Sequence, residues 1–218
     1  MARRMERQGR SSRSLKKTVL VFGESHNDSQ AICALVEALR PDLQVRAYRS
    51  PTVLIHQNSL NRTNIRKNIA QIKAVATAAA ARDRIVAIVL HKDCDAVEPA
   101  HTGLANAVES QMGANAYISI AAAPAWEMET WWYLWPDAVS AYHPTWRRLG
   151  RSGTSVGLIQ NAKETLIREL RVKGGNSRDY TESDAIGIAQ YVRNLGIIGA
   201  TNAISHAFTE FRAKVTAI

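Results

Sequence analysis

The stretch that most limits what this chain can fold into is a short apolar run, Ile85-Val86-Ala87-Ile88-Val89-Leu90, followed at once by His91-Lys92-Asp93-Cys94-Asp95. The run is rich in β-branched residues and too short for an ordinary helix, so it reads as a strand buried on both faces. Strands of that kind belong to parallel α/β sheets, which place their chemistry just beyond the carboxyl ends of the strands. Asp93 and Asp95 occupy that position. In extended backbone residues i and i+2 point the same way, so the two carboxylates are expected to converge. Two anions held close together resist ionisation unless a cation accompanies them. The plainer reading makes one aspartate the cap of the next helix, with Pro99 pre-setting its first turn. On this stretch alone both readings stand.

A second acidic turn favours the metal reading. Thr18-Val19-Leu20-Val21-Phe22 is another short apolar strand, and Gly23-Glu24-Ser25-His26-Asn27-Asp28 follows it. A helix-patterned segment from about Ser29 to Leu39 comes next and stops before Pro41, which disfavours helix in its predecessor. Glu24 therefore belongs at a strand's carboxyl end and Asp28 near a helix's first turn, with Gly23 allowing a sharp turn between them. Capping explains one such acidic turn more easily than two.

The rest of the chain supplies the framework. Leu43–Tyr48 alternates like a strand, and a helix from about Asn61 to Ala81 carries Ile65, Ile69 and Ile72 at helical spacing. Its other positions hold Arg62, Arg66, Lys67 and Lys73. A helix from about Pro99 to Met112 and a strand over Ala116–Ala121 complete a β-α-β-α-β-α-β order, which predicts a mainly parallel four-stranded sheet flanked by helices. Beyond Pro124 strand signals vanish. Helices are expected over about Asn161–Val172, Glu182–Leu195 and Ala200–Val215, broken at Gly174-Gly175 and Gly196. The organisation read from this is a basic flexible tail over 1–17, an α/β core over 18–125 and a helical extension packed on it over 126–218. Trp126, Trp131, Trp132 and Trp135 are expected to be mostly core that joins the extension to the sheet. Glu129 on that aromatic segment is costly to bury unless paired or bound to a cation, whereas Glu127 is expected to be solvated.

In order and strand context, strand–Gly-Glu–helix followed by strand–Asp-x-Asp resembles the TOPRIM domain of topoisomerases, primases and OLD-type nucleases. The segment Pro124-Ala125-Trp126-Glu127-Met128-Glu129-Thr130-Trp131-Trp132-Tyr133-Leu134 resembles the acidic, Trp-containing segment of small stand-alone TOPRIM proteins, the RloB-like group associated with bacterial defence islands. The resemblance runs from about Thr18 to Phe211. His91-Lys92 departs from it by standing between the apolar run and the aspartates, where Lys92 could partly neutralise the site. It implies a metal-dependent nuclease in antiviral defence, with an ATPase partner, although nothing here resembles the ATPase half of full-length OLD nucleases. It also implies that Asp93 and Asp95 bind one ion, that Glu24 binds metal or acts as general base, and that Asp28 with Glu129 completes a second site. A lysine outside the acidic motifs stabilises the transition state in OLD-type enzymes, and Lys173 is the candidate.

Oxygen-only ligands suit Mg²⁺ or Mn²⁺, not zinc. Such ions neutralise a phosphodiester and activate water. The formal charge of +9 and a pI near 9.9 point to a polyanionic partner. Arg62, Arg66, Lys67, Lys92, Arg171 and Arg178 are the candidate contacts to nucleic acid. Two cysteines, Cys33 and Cys94, make no disulfide framework. The chain has no apolar run long enough for a bilayer and no signal-peptide core at its start, so a cytoplasmic protein without membrane contact is expected. A homo-oligomer is compatible with all of this. A primase or topoisomerase would need a further domain, and a receiver-like phosphoacceptor is expected to be a smaller domain with a lysine-bearing strand that this sequence does not place. The rival that remains is a non-catalytic nucleic-acid-binding or protein-interaction module with a degenerate TOPRIM fold. The basic residues of 1–17 would serve as a phosphate-seeking arm. Deleting them is expected to weaken oligonucleotide binding and flatten its salt dependence, measured by titration at several ionic strengths.

Overall fold

The computed structural model describes residues 15–54, 62–113, 116–172 and 178–218. The basic arm up to residue 14, the break at Gly174-Gly175 and Lys173 lie outside them. Four strands, β1 (Lys17–Phe22), β2 (Gln44–Tyr48), β3 (Arg84–His91) and β4 (Ile118–Ala122), form one sheet in the order β2-β1-β3-β4. Every pairing is parallel, so the sheet is wholly parallel where the sequence predicted a mainly parallel one. Helices α1 (His26–Leu39), α2 (Arg62–Ala80) and α3 (Ala100–Met112) make the crossovers.

The step from β1 to β2 runs one way across the sheet, and the steps to β3 and β4 run the other way. Right-handed crossovers then force α1 onto one face and α2 and α3 onto the opposite face. The packing follows: Val19, Val21 and Val89 lie in one apolar cluster with Ile32 and Leu35 of α1. Leu20, Phe22, Ile88 and Leu90 lie in the other, with Ile72 of α2 and Val108 of α3. The direction changes between β1 and β3, and a crevice opens beyond the carboxyl ends of such strands. Phe22 is level with Leu90 in the parallel register, so Glu24 and Asp93 leave the sheet side by side.

The α1 face is covered by the C-terminal half of the chain, which holds α4 (Glu129–Trp132), α5 (Pro136–Tyr142), α6 (Ala162–Leu170), α7 (Asp184–Asn194) and α8 (His206–Thr216). Trp131, Trp132 and Trp135 are almost fully buried. The Trp131 ring stacks on Phe211 at 5.4 Å and meets Phe208 edge-on at 5.3 Å. The helix expected from about Ala200 begins at His206, because Ser205 is its cap: the Ser205 hydroxyl accepts from the Phe208 N–H at 3.2 Å. The buried Glu98 carboxylate accepts from the Ser205 hydroxyl and the Ala207 N–H, at 2.9 and 3.0 Å. Gly157 makes room for that carboxylate, since a Cβ there would lie 2.0 Å from Glu98 Cδ.

The start of α7 rests on a buried carboxylate. Asp184 accepts both Arg178 guanidinium nitrogens, at 2.5 and 2.7 Å, together with the Tyr142 hydroxyl and the Thr181 N–H. Burial opposes ionisation of Asp184, but these donors outweigh it and hold the carboxyl at about 2, below its ordinary 3.8. A carboxyl depressed on folding stabilises the fold in its charged form. That contribution is full above the unfolded value and disappears as pH falls through the folded one. A difference of this size is worth about 2 kcal/mol. Asp184→Asn is expected to cost about that much at neutral pH and to flatten the loss of stability between roughly pH 4 and pH 2, read by urea unfolding across that range.

Candidate metal centre

Strand β1 ends at Phe22, and the chain turns through Gly23 into α1. Gly23 is needed for close approach: a Cβ would stand 2.7 Å from the Ser29 backbone nitrogen and 2.9 Å from the Ser25 carbonyl oxygen. Ser25 caps α1 in a reciprocal capping box, with the Asp28 N–H donating to Ser25 Oγ at 3.2 Å and the Ser25 N–H to Asp28 Oδ2 at 2.9 Å. Asp28 thus sits in the first turn, and the cap itself is Ser25. Glu24, one residue before the cap, turns into the crevice. Its Oε2 accepts the Asp93 N–H at 2.7 Å, and its Oε1 takes the Lys92 ammonium at 2.5 Å.

Strand β3 runs one residue further than the apolar run, so His91 is its last member and is fully buried. Its Nε2 lies 3.2 Å from Asp93 Oδ1 and its Nδ1 lies 3.7 Å from Asp28 Oδ2, yet neither nitrogen has an aligned hydrogen bond. Burial alone favours the neutral ring. The charges of Asp93, Asp28 and Glu24 and the contact with Asp93 more than offset it, pushing the ring up to about 9. Asp93 Oδ1 also accepts the Met128 N–H at 3.1 Å, which ties the end of β3 to the segment after β4. That tie is extended by Asp95 N–H to the Trp126 carbonyl at 2.9 Å and Trp126 N–H to the Ala96 carbonyl at 2.7 Å. Asp95 and Trp126 both adopt left-handed backbone, φ 52° and 59°.

Glu24, Asp28, Asp93, Asp95, Glu127, Glu129 and Glu182 line one cavity of about 320 Å³, with Lys92 and Lys163 as its cations. Burial pushes the Glu129 carboxyl up to about 7, and the charge of Asp93 adds to it, although the Tyr180 hydroxyl donates to its Oε1 at 3.0 Å. A cation in the cavity would favour the ionised form. Among the described residues Glu24, His91 and Asp93 each offer a ligand atom within 4.8 Å of the others, a group that could hold a metal ion. The misaligned, buried imidazole beside two carboxylates fits such an ion, because metal ligation is one way to satisfy a buried ring nitrogen.

The cavity brings together Glu24, Asp28, Asp93, Asp95 and Glu129. Asp93 and Asp95 reach it by a route other than the predicted one. The backbone at Asp95 is left-handed, so the two side chains do not share a face through extended geometry, and Asp95 is exposed while Asp93 is half-buried. Glu127, expected to be solvated, is half-buried and accepts the Lys163 N–H at 3.0 Å. It caps α6, whose own preceding residue, Asn161, makes no side-chain cap. Lys163 and Glu182 form an ion pair on the cavity wall. His91 entered the sequence reading only as a departure from the resemblance, and Lys163 and Glu182 carried no motif; the extension of β3 by one residue, and distant helices folding back, place them here.

Of the basic residues expected to touch nucleic acid, Arg62, Arg66 and Lys67 are exposed at the amino end of α2, on the carboxyl-end side of the sheet where the cavity opens. Lys92 is buried against Glu24 and is no surface contact. Arg178 is committed to Asp184 and lies over the Trp146 ring at 5.4 Å, and Arg171 is forked onto Asp179. These two serve local structure, because a guanidinium fork matches a carboxylate well.

No family model matches this chain, and no curated protein matches it. Titration with Mn²⁺ is expected to show binding that Glu24→Gln or Asp93→Asn weakens by about 10–100-fold. Asp95→Asn is expected to change it less, since Asp95 stands outside the tight group; isothermal calorimetry orders the three.

Proposed function

We propose that this chain is a TOPRIM-type phosphodiesterase that hydrolyses DNA or RNA with Mg²⁺ or Mn²⁺. The observation that carries the reading is the convergence of Glu24 and Asp93 at the switch point between β1 and β3, inside a cavity whose carboxylates outnumber its cations. Carboxylates dominate that set, which favours hard divalent ions. Glu24, His91 and Asp93 would hold the first ion, with Asp95, Asp28 and Glu129 close enough in the same cavity to extend the site. A bound divalent ion would supply charge neutralisation of the phosphodiester and an activated water.

The chain's own residues contribute position. Lys92 and the Asp93 N–H grip the two oxygens of Glu24 and fix its carboxylate plane. The Met128 N–H holds Asp93 from the other side. In the absence of an ion, buried His91 in its charged form limits the repulsion between Asp28 and Asp93, and it gives up that proton when it ligates a metal. Lys163, which lines the same cavity and is paired with Glu182, is the basic residue we assign to a phosphate oxygen, in the part given from sequence to Lys173. A role in bacterial antiviral defence, beside an ATPase partner, follows from the sequence resemblance. No described helix is long and apolar enough to cross a membrane.

One observation favours the second reading, a nucleic-acid-binding or interaction module that does not cut: Glu24 already has an internal cation in Lys92. Incubation with plasmid, single-stranded DNA and RNA decides between them. Cleavage is expected with Mg²⁺ or Mn²⁺, none with EDTA, and a fall to background in Asp93→Ala at unchanged melting temperature. Binding without cleavage under every metal condition would favour the module, and cleavage by Asp93→Ala at the parent's rate would remove the assignment of the site.

A further inference from the structure

A second cavity, of about 480 Å³, lies at the other end of α6 and is lined by Arg147, Arg148, Arg151, Thr154 and Glu169 among others. Its lining holds three arginines and one carboxylate. Arg151 is held in place: it is forked onto Glu169, and its guanidinium lies 5.5 Å from the centre of the Tyr133 ring. Arg148 reaches outward to Asp137 in a pair whose side chains are 64% and 63% exposed, and such exposed pairs are worth little and are readily given up. Arg147 has no carboxylate partner among the described residues, and its backbone N–H is anchored on the Leu170 carbonyl at 2.8 Å. Among the described residues one guanidinium is therefore pre-set, one is weakly held and one has no carboxylate partner. That combination suits a phosphate, which guanidinium forks bind in a planar, bidentate manner.

The two cavities flank the same pair of elements. Lys163 lines the acidic cavity and Glu169 the basic one, and six residues of helix at about 1.5 Å each separate them by about 9 Å. Glu129 lines the acidic cavity, and Tyr133, just past the other end of α4, lies under Arg151. Neighbouring phosphates of a strand stand well over the roughly 3.4 Å axial rise of a duplex apart, so about 9 Å corresponds to one to two steps along a strand.

We propose that the Arg147–Arg151 cavity is a phosphate subsite for the nucleic-acid strand whose reacting phosphate enters the acidic cavity, and that it grips the backbone one to two nucleotides away. This rests on the reading of the acidic cavity as a nucleic-acid site. The subsite contributes sequence-independent, salt-sensitive affinity and sets the direction in which the strand crosses α6.

The test is a binding measurement with the full chain in EDTA, so that cutting plays no part. The probe is a fluorescein-labelled oligothymidylate of about 20 nucleotides, long enough to span both cavities, followed by anisotropy at several salt concentrations. Arg147→Ala with Arg148→Ala, both at exposed positions, is expected to weaken binding about 10-fold and lower the salt slope by about 1. Asp137→Asn, which frees Arg148, is expected to tighten binding by a few-fold. Parent-like affinity and slope in the double variant at an unchanged melting temperature would overturn the subsite, as would a parent that binds no oligonucleotide. Inorganic pyrophosphate provides a separate arm: loss of pyrophosphate binding in the double variant, with oligonucleotide binding intact, would overturn the strand in favour of a free phosphate compound. A parent that binds through these arginines yet never cuts with Mg²⁺ or Mn²⁺ would leave the subsite standing and remove the nuclease reading alone.

Discussion

The hydrogen bond from the Asp93 N–H to Glu24 Oε2, 2.7 Å long, is where the sheet hands over to the site. It exists only because β1 and β3 are parallel neighbours in a register that levels Phe22 with Leu90. That register is enforced by burial on both faces, since a slip of one residue would turn Val19, Val21 and Val89 away from the cluster they share with α1. The acids are therefore positioned by apolar packing some distance beneath them. Mutual repulsion between the acids is contained by His91 and Lys92, both buried at the strand end.

Around that handover, backbone groups do most of the holding. Asp93 is gripped by Met128, Asp95 by Trp126 and Glu127 by Lys163, so the loops after β3 and β4 and the start of α6 are tied into one wall. Each tie has one end in the segment after β4. The aromatic block behind this wall, Trp131 with Phe208 and Phe211, keeps it from spreading. Rigid support of this kind is what a site needs if its side chains are to stay near a productive geometry.

Much of this could be read from the chain. Alternating short β-branched runs and helix-period segments gave the α/β order, and the acids at the ends of Thr18–Phe22 and Ile85–Leu90 marked the crevice. The residues that escaped did so for definite reasons. The apolar run stops at Leu90 and leaves His91 outside the expected strand, yet the ladder to Ala122 continues through it. Glu127 looked solvated because its partner, the unsatisfied N–H at the start of α6, lies 36 residues away. Arg171 and Arg178 find their carboxylates nearby in the chain, at Asp179 and Asp184, but no helical or strand spacing links them, because the turn into α7 brings each pair together. Long-range pairings of single polar groups leave no periodicity to detect.

Glu98 carries a consequence for how this chain can be cut or joined. It stands just beyond the acid-bearing loop, but the groups that donate to its Oε1 belong to Ser205 and Ala207, more than 100 residues later. Composition suggests a border near residue 125, yet a fragment ending there would bare the valines of β1 and β3 and strand an unpartnered carboxylate beside the loop that carries Asp93 and Asp95. The change in composition at Pro124 is thus a seam in the writing of the polypeptide and not in its cooperativity. Evolutionary or laboratory shuffling of the two halves must carry both sides of that contact together.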